Sequence, residues 1–135
     1  MNVFRDQNPQ DALRFESDKV GRDYKVSRNF ALRELESKDR ANLVLLHPAL
    51  ILGLQTIRDH VGKSIRVNSG YRSPEHNKSI GGAIGSLHTL GMAADIVIDG
   101  MTPIEVASLA SDMGFGGIKA YPTFTHIDVG RSRTW

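Results

Sequence analysis

Cysteine is absent from the 135 residues, which excludes disulfides and thiolate metal sites and leaves nitrogen and oxygen as the ligands for any bound metal. No apolar run approaches the ~20 residues of a membrane span, and the opening Met1 to Pro9 lacks the apolar core of a secretory leader. Charge of one sign is also scarce. The net charge is +2, with acids and bases interspersed and no long basic run, so nucleic-acid binding and membrane insertion are both unsupported. No Gly-Lys-Ser or Gly-Lys-Thr follows the glycines at Gly81, Gly82, Gly85 and Gly91, so these glycines do not form a phosphate loop and are left as points of unusual backbone angle. With 40% hydrophobic residues at this length, one core and one domain are expected.

What is present concentrates in two stretches. Ser86-Leu87-His88 leads through Gly91-Met92-Ala93-Ala94-Asp95 into the apolar run Ile96-Val97-Ile98, and Thr125-His126-Ile127-Asp128-Val129 follows near the end. The first run reads as a strand that begins with a carboxylate. In the second, strand alternation puts His126 and Asp128 on one face and Ile127 and Val129 on the other. Two imidazoles and a carboxylate form the ligand set of a zinc site that keeps one position open for water. Taken singly, either histidine is more often a hydrogen-bonded structural residue than a ligand. Asp95 shifts the balance, because a carboxylate entering an apolar strand is costly to bury unless a cation or donors compensate it.

The remaining pattern reads as scaffold. Pro48, then Leu50, Ile51, Leu54, Ile57 and Val61, then Gly62 predict an amphipathic helix with its stop signal. His47 and His60, at its two ends, are assigned structural roles. Ile65 to Ser69 reads as a strand feeding Gly70-Tyr71-Arg72, and Ser73-Pro74-Glu75 as a helix start, so Arg72 is held at a strand-to-helix turn. Thr102-Pro103 to Met113, stopped by Gly114, is a second core helix, and the segments around Gly117 and His126 pair through Pro122-Thr123-Phe124. The expected class is α+β, a small, mostly antiparallel sheet with helices packed on one side and the metal site on the exposed face. Residues 1–28, polar and without sustained periodicity, are expected as an N-terminal extension or arm, with the domain over 29–135.

Ser69-Gly70-Tyr71-Arg72-Ser73, His76-Asn77, Ile80-Gly81-Gly82-Ala83, Ser86-Leu87-His88, Gly91-Met92-Ala93-Ala94-Asp95, Gly116-Gly117-Ile118 with Tyr121-Pro122, and Thr125 to Gly130 with Trp135 together resemble the zinc D-alanyl-D-alanine carboxypeptidase family. That family includes murein endopeptidases and phage endolysins and shares its fold with the hedgehog signalling domain. The resemblance implies that His88, Asp95 and His126 hold one zinc ion, that Arg72 acts beside it on a substrate carbonyl or carboxylate, and that Tyr71, Ser86 and Tyr121 are substrate-binding candidates. His76 corresponds to no ligand. It further implies hydrolysis of peptide bonds in bacterial peptidoglycan, as carboxypeptidase or endopeptidase, by a protein made in a cytoplasm and acting on the wall after release, as a phage or prophage endolysin does.

One departure bears on mechanism. Many relatives carry an acid three residues before the last zinc histidine, where this chain has Thr123, so Asp128 becomes the nearest catalytic candidate, as proton acceptor or as the group that orients His126. Two other readings are an inactive zinc-containing module that binds wall or protein, and a phage structural protein.

Overall fold

The computed structural model describes residues 3–133; Trp135, part of the resemblance above, lies outside the described residues. In chain order the elements are β1 (Leu13–Glu16), α1 (Ser17–Val20), β2 (Lys25–Ser27), β3 (Phe30–Ala31), α2 (Leu32–Leu35), β4 (Leu43–Leu46) and α3 (Pro48–Val61). The second half adds β5 (Ile65–Ser69), α4 (Pro74–Ser79), β6 (Ala93–Ile98), α5 (Pro103–Met113), β7 (Gly117–Ala120) and β8 (Thr125–Asp128). No helix among the described residues is long and apolar enough to cross a membrane.

Four strands form one antiparallel sheet in the order β5-β6-β8-β7. Alternation decides its faces. Ala94, Ile96 and Ile98 of β6, with Ile127 and Val129, turn inward and join Leu50, Leu54 and Ile57 of α3 and Val106 and Ala110 of α5 in one core. Each such leucine or isoleucine stabilises the fold by about 1.5–3 kcal/mol through removal from water. Thr125 belongs to the same face, and its hydroxyl donates to Pro103 O at 2.8 Å, fixing the start of α5 against β8. The intervening residues, Asp95, His126 and Asp128, are left for the opposite face.

The helix ends follow local chemistry. His47 caps α3 by accepting from Ala49 N at 3.0 Å, and Gly62 closes it in a left-handed conformation. Thr102 and Glu105 form a reciprocal capping box at the start of α5, and Gly114 ends that helix.

Residues 3–28, expected as an arm or extension, are folded onto the domain. β1 pairs antiparallel with β4, from Leu13 opposite Leu46 to Glu16 opposite Leu43. Phe4 stacks on Phe115 with ring centroids 5.0 Å apart, Asp6 N donates to Gly130 O at 2.8 Å, and Gln7 N to Val129 O at 3.1 Å. The β2–β3 hairpin is fastened to α3 through Gln55, whose Oε1 accepts from Ser27 Oγ and Asn29 N, both at 2.9 Å.

Gly91 joins the two halves. It is left-handed at φ 72°, its carbonyl accepts from His47 N at 2.8 Å, and its α-carbon lies against the Leu45 carbonyl, where a Cβ would overlap backbone. Gly91→Ala therefore adds both a conformational penalty and a clash, and is expected to lower unfolding stability by about 2–4 kcal/mol in chemical denaturation. Wild-type stability in that variant would mean that β4 and the segment before β6 separate at no cost.

Candidate metal centre

The register of the sheet builds the site. Asp95 of β6 lies directly opposite His126 of β8, and on its other side opposite Ser69 of β5. A bulge in β5 between Val67 and Ser69 makes the second pairing, because the extra residue Asn68 carries Ser69 to the place its own alternation would have missed. Ser69, Asp95 and His126 thus form one row across three strands.

His88 comes from above this row. A short 3-10 helix, Leu87–Leu90, carries it, with Ser86 Oγ accepting from His88 N at 3.2 Å at one end and Gly91 at the other. His88 Nδ1 donates to Gly70 O at 2.8 Å, so Nε2 presents its lone pair toward Asp95 Oδ1, 3.3 Å away. His126 Nδ1 lies 3.0 Å from the same oxygen. One ligand atom from each of His88, Asp95 and His126 lies within 4.8 Å of the other two. The edge of a zinc tetrahedron with ~2.0–2.1 Å bonds is about 3.4 Å, so the donor set and its spacing fit that ion.

Each donor is held from behind. His126 Nε2 donates to Asp128 Oδ2 at 2.7 Å. Asp128 is fully buried, and its oxygens also accept from Gly130 N at 3.1 Å and from both terminal nitrogens of Arg133. Burial favours the uncharged form of Asp128, but the bonds from His126 and Arg133 outweigh it and hold its pKa below the ordinary carboxylate value. For His126, burial disfavours the proton, yet the flanking Asp128 and Asp95 carboxylates prevail and raise its pKa. Asp95 shows the same contest as Asp128: desolvation opposes charge, and the two imidazoles keep the carboxyl strongly acidic.

Arg72 completes the floor. Its Nε donates to Ser69 Oγ at 3.0 Å, Nη1 to Asn77 Oδ1 at 3.3 Å, and Nη2 lies 3.4 Å from Asp95 Oδ2. The two Asp95 oxygens are therefore divided, one facing the imidazoles and one facing the guanidinium. Below the turn, Tyr71 N donates to Leu35 O, Ser73 N to Ser37 Oγ, and Ser73 Oγ to Asp39 Oδ2 at 2.6 Å. The loop from Leu35 to Asp39 thus cradles the Arg72 turn, a support the motif reading missed because it depends on contacts distant in sequence.

The group opens into a cavity of about 710 Å³ that is also lined by Ser86, Tyr121, Phe124, Gln7, Arg131 and Arg133. Tyr121 stacks on Phe124 with centroids 4.6 Å apart, forming an aromatic wall. Tyr71 corrects an expectation: it is 3% exposed, sits in the core and takes no part in this lining. Neighbours in extended backbone point to opposite sides, so the turn that aims Arg72 into the cavity aims Tyr71 away. Ser86 lines the cavity, and its side-chain bond is the cap on the helix of His88. His76 and Thr123 are absent from the lining. Asp128, considered as a proton acceptor, has its carboxylate committed behind His126, a position that fits an orienting group.

A peptidase M15 family model matches residues 27–128. The chain is 36% identical over 106 residues to the peptidoglycan L,D-endopeptidase MepK of Escherichia coli K12, covering 71% of this chain and 58% of that protein. It is 37% identical over 100 residues to a probable MepK of Haemophilus influenzae, covering 67% and 54%. Similarity to the zinc D-Ala-D-Ala carboxypeptidase of Streptomyces albus G is 38% over 88 residues, covering 61% and 34%. The chain therefore spans less than two thirds of the length of these curated relatives. The family match includes all four strands of the main sheet and the residues His88, Asp95 and His126, and the chain belongs to the peptidase M15 family.

Proposed function

We propose that this chain is a zinc-dependent peptidase that hydrolyses peptide bonds of bacterial peptidoglycan, with His88, Asp95 and His126 as the ligands of one zinc ion. The observation that carries the reading is the convergence of His88 Nε2, Asp95 Oδ1 and His126 Nδ1 at the floor of an open cavity, with Arg72 alongside. The names of the relatives supply the substrate class.

Zinc held by such a set supplies Lewis acidity and brings the pKa of a bound water to about 7. The protein's own residues do the rest. Arg72, fixed by Ser69 and Asn77, is the group positioned to hold a substrate carbonyl oxygen and to stabilise negative charge as it develops there. Ser69 and Asn77 also spare that charge the entropy cost of finding its pose. The Tyr121–Phe124 wall offers apolar surface to the peptide. Asp128 orients His126 and keeps its Nε2 protonated, so that Nδ1 is the nitrogen offered to the metal. Among the described residues the carboxylates lining the cavity are Asp95 and Asp128, and both are engaged.

Purified peptidoglycan incubated with the zinc-loaded protein should release new amino groups or free stem residues. A chelator should abolish that release and added zinc restore it. Zinc retention at about one ion per chain without any hydrolysis would favour a binding module instead.

Asp128→Asn separates the two roles considered for that residue. As an orienting group it predicts zinc affinity weaker by roughly tenfold to a hundredfold, with most turnover regained at saturating zinc. Unchanged zinc affinity with turnover reduced about 100- to 10,000-fold at every zinc concentration would make it the proton acceptor after all.

A further inference from the structure

The cavity holds one more cation than its metal ligation and internal pairing employ. Its lining contains Arg72, Arg131 and Arg133 against the carboxylates Asp95 and Asp128. Arg72 faces Asp95 and Arg133 is paired with Asp128, whereas no ion pair among the described residues engages Arg131, whose residue is exposed. The backbone around Arg131 is nevertheless held firmly. On one side Gly130 O accepts from Asp6 N at 2.8 Å and Val129 O from Gln7 N at 3.1 Å; on the other, Ser132 N donates to Asp6 Oδ1 at 3.4 Å and Arg133 N to Gly116 O at 3.1 Å. The Arg131 carbonyl itself accepts from Arg133 Nη1 at 2.8 Å. A guanidinium on an anchored backbone, among the residues lining a cavity whose acids are already engaged, is suited to pair with negative charge.

The strap that does the anchoring, Phe4 to Pro9, lies before the residues the family model matches. It brings Gln7 and Pro9 into the cavity wall, and Gln7 is itself held, its Nε2 donating to Val3 O at 3.1 Å and Arg5 O at 3.3 Å.

Resting on the peptidase reading above, we infer that Arg131, clamped by the Phe4–Pro9 strap, is a specificity-determining subsite for a free carboxylate on the substrate residue flanking the scissile bond. The substrate class is then an acidic stem peptide. Its glutamyl residue bears a free α-carboxylate, and the amidated form of the same peptide is the poorer ligand. Arg131 takes no part in the chemical step; it acts on binding.

The test uses two peptidoglycan stem peptides that differ only in a carboxylate or a carboxamide on the glutamyl residue. Calorimetric titration into the metal-free full chain reads binding without turnover, and kcat/KM of the zinc-loaded chain reads it again. The carboxylate peptide should bind, and be cleaved, about tenfold better, the scale of one partly exposed charge-assisted contact. In Arg131→Gln both ratios should fall to near one, with zinc content and thermal midpoint equal to wild type. Gln7→Glu, which brings a negative charge to the same wall, should lower or reverse the preference. Equal affinity for the two peptides in the wild type, a preference that survives Arg131→Gln, or no binding of either peptide at millimolar concentration overturns the subsite. Carboxylate-selective binding with no cleavage of either peptide by the zinc-loaded chain would leave the subsite standing and sink the peptidase reading instead.

Discussion

The site depends on one register, the pairing of β6 and β8 that sets Asp95 opposite His126. A buried carboxylate and a mostly buried imidazole are each expensive to desolvate alone; facing each other at 3.0 Å they compensate, and a cation placed between them compensates further. A slip of one residue in that pairing would send His126 and Asp128 into the core and Ile127 to the site. The apolar face guards against the slip. Ile96, Ile127 and Val129 are fully buried, so the hydrophobic effect that assembles the core also fixes the ligand geometry.

Around that register, support is layered. His88 leans on the Gly70 carbonyl, His126 on Asp128, Asp128 on Arg133, and Arg72 on Ser69 and Asn77. The last links reach parts of the chain without chemistry of their own: the loop from Leu35 to Asp39 under the Arg72 turn, and the strap from Phe4 to Pro9 beside Arg131. The N-terminal third is in this sense part of the site. Its side chains contribute little to the metal centre, but its backbone bonds hold the segments that carry the ligands and the cavity wall.

The legible features were those written in local pattern. Alternation in Thr125 to Val129 gave the two faces of β8, and Pro48, Gly62, Pro103 and Gly114 marked the ends of α3 and α5, because capping and strand alternation act over a few residues. Features set by distant contacts were not legible. Leu13 to Glu16 is too short and too exposed to show a period, and only its pairing with Leu43 to Leu46 makes it a strand. The bulge at Asn68 carries no local sign, yet it puts Ser69 under Arg72. The burial of Tyr71 beside the cavity-lining Arg72 was not legible either, because a motif names neighbours without saying which side of the backbone each one takes. The commitment of Asp128 to Arg133 depends on how the chain turns after β8, and alternation ends there.

The chemistry of the site turns on which nitrogens face the metal, and that can be read directly by nuclear magnetic resonance on protein loaded with the spin-half isotope of cadmium and carrying isotope-labelled histidine. One-bond metal–nitrogen couplings should appear at His88 Nε2 and His126 Nδ1, with His88 Nδ1 and His126 Nε2 still bearing the protons they donate to Gly70 and Asp128. A coupling to His126 Nε2, or none to either nitrogen of His126, would contradict the geometry on which the proposed chemistry rests.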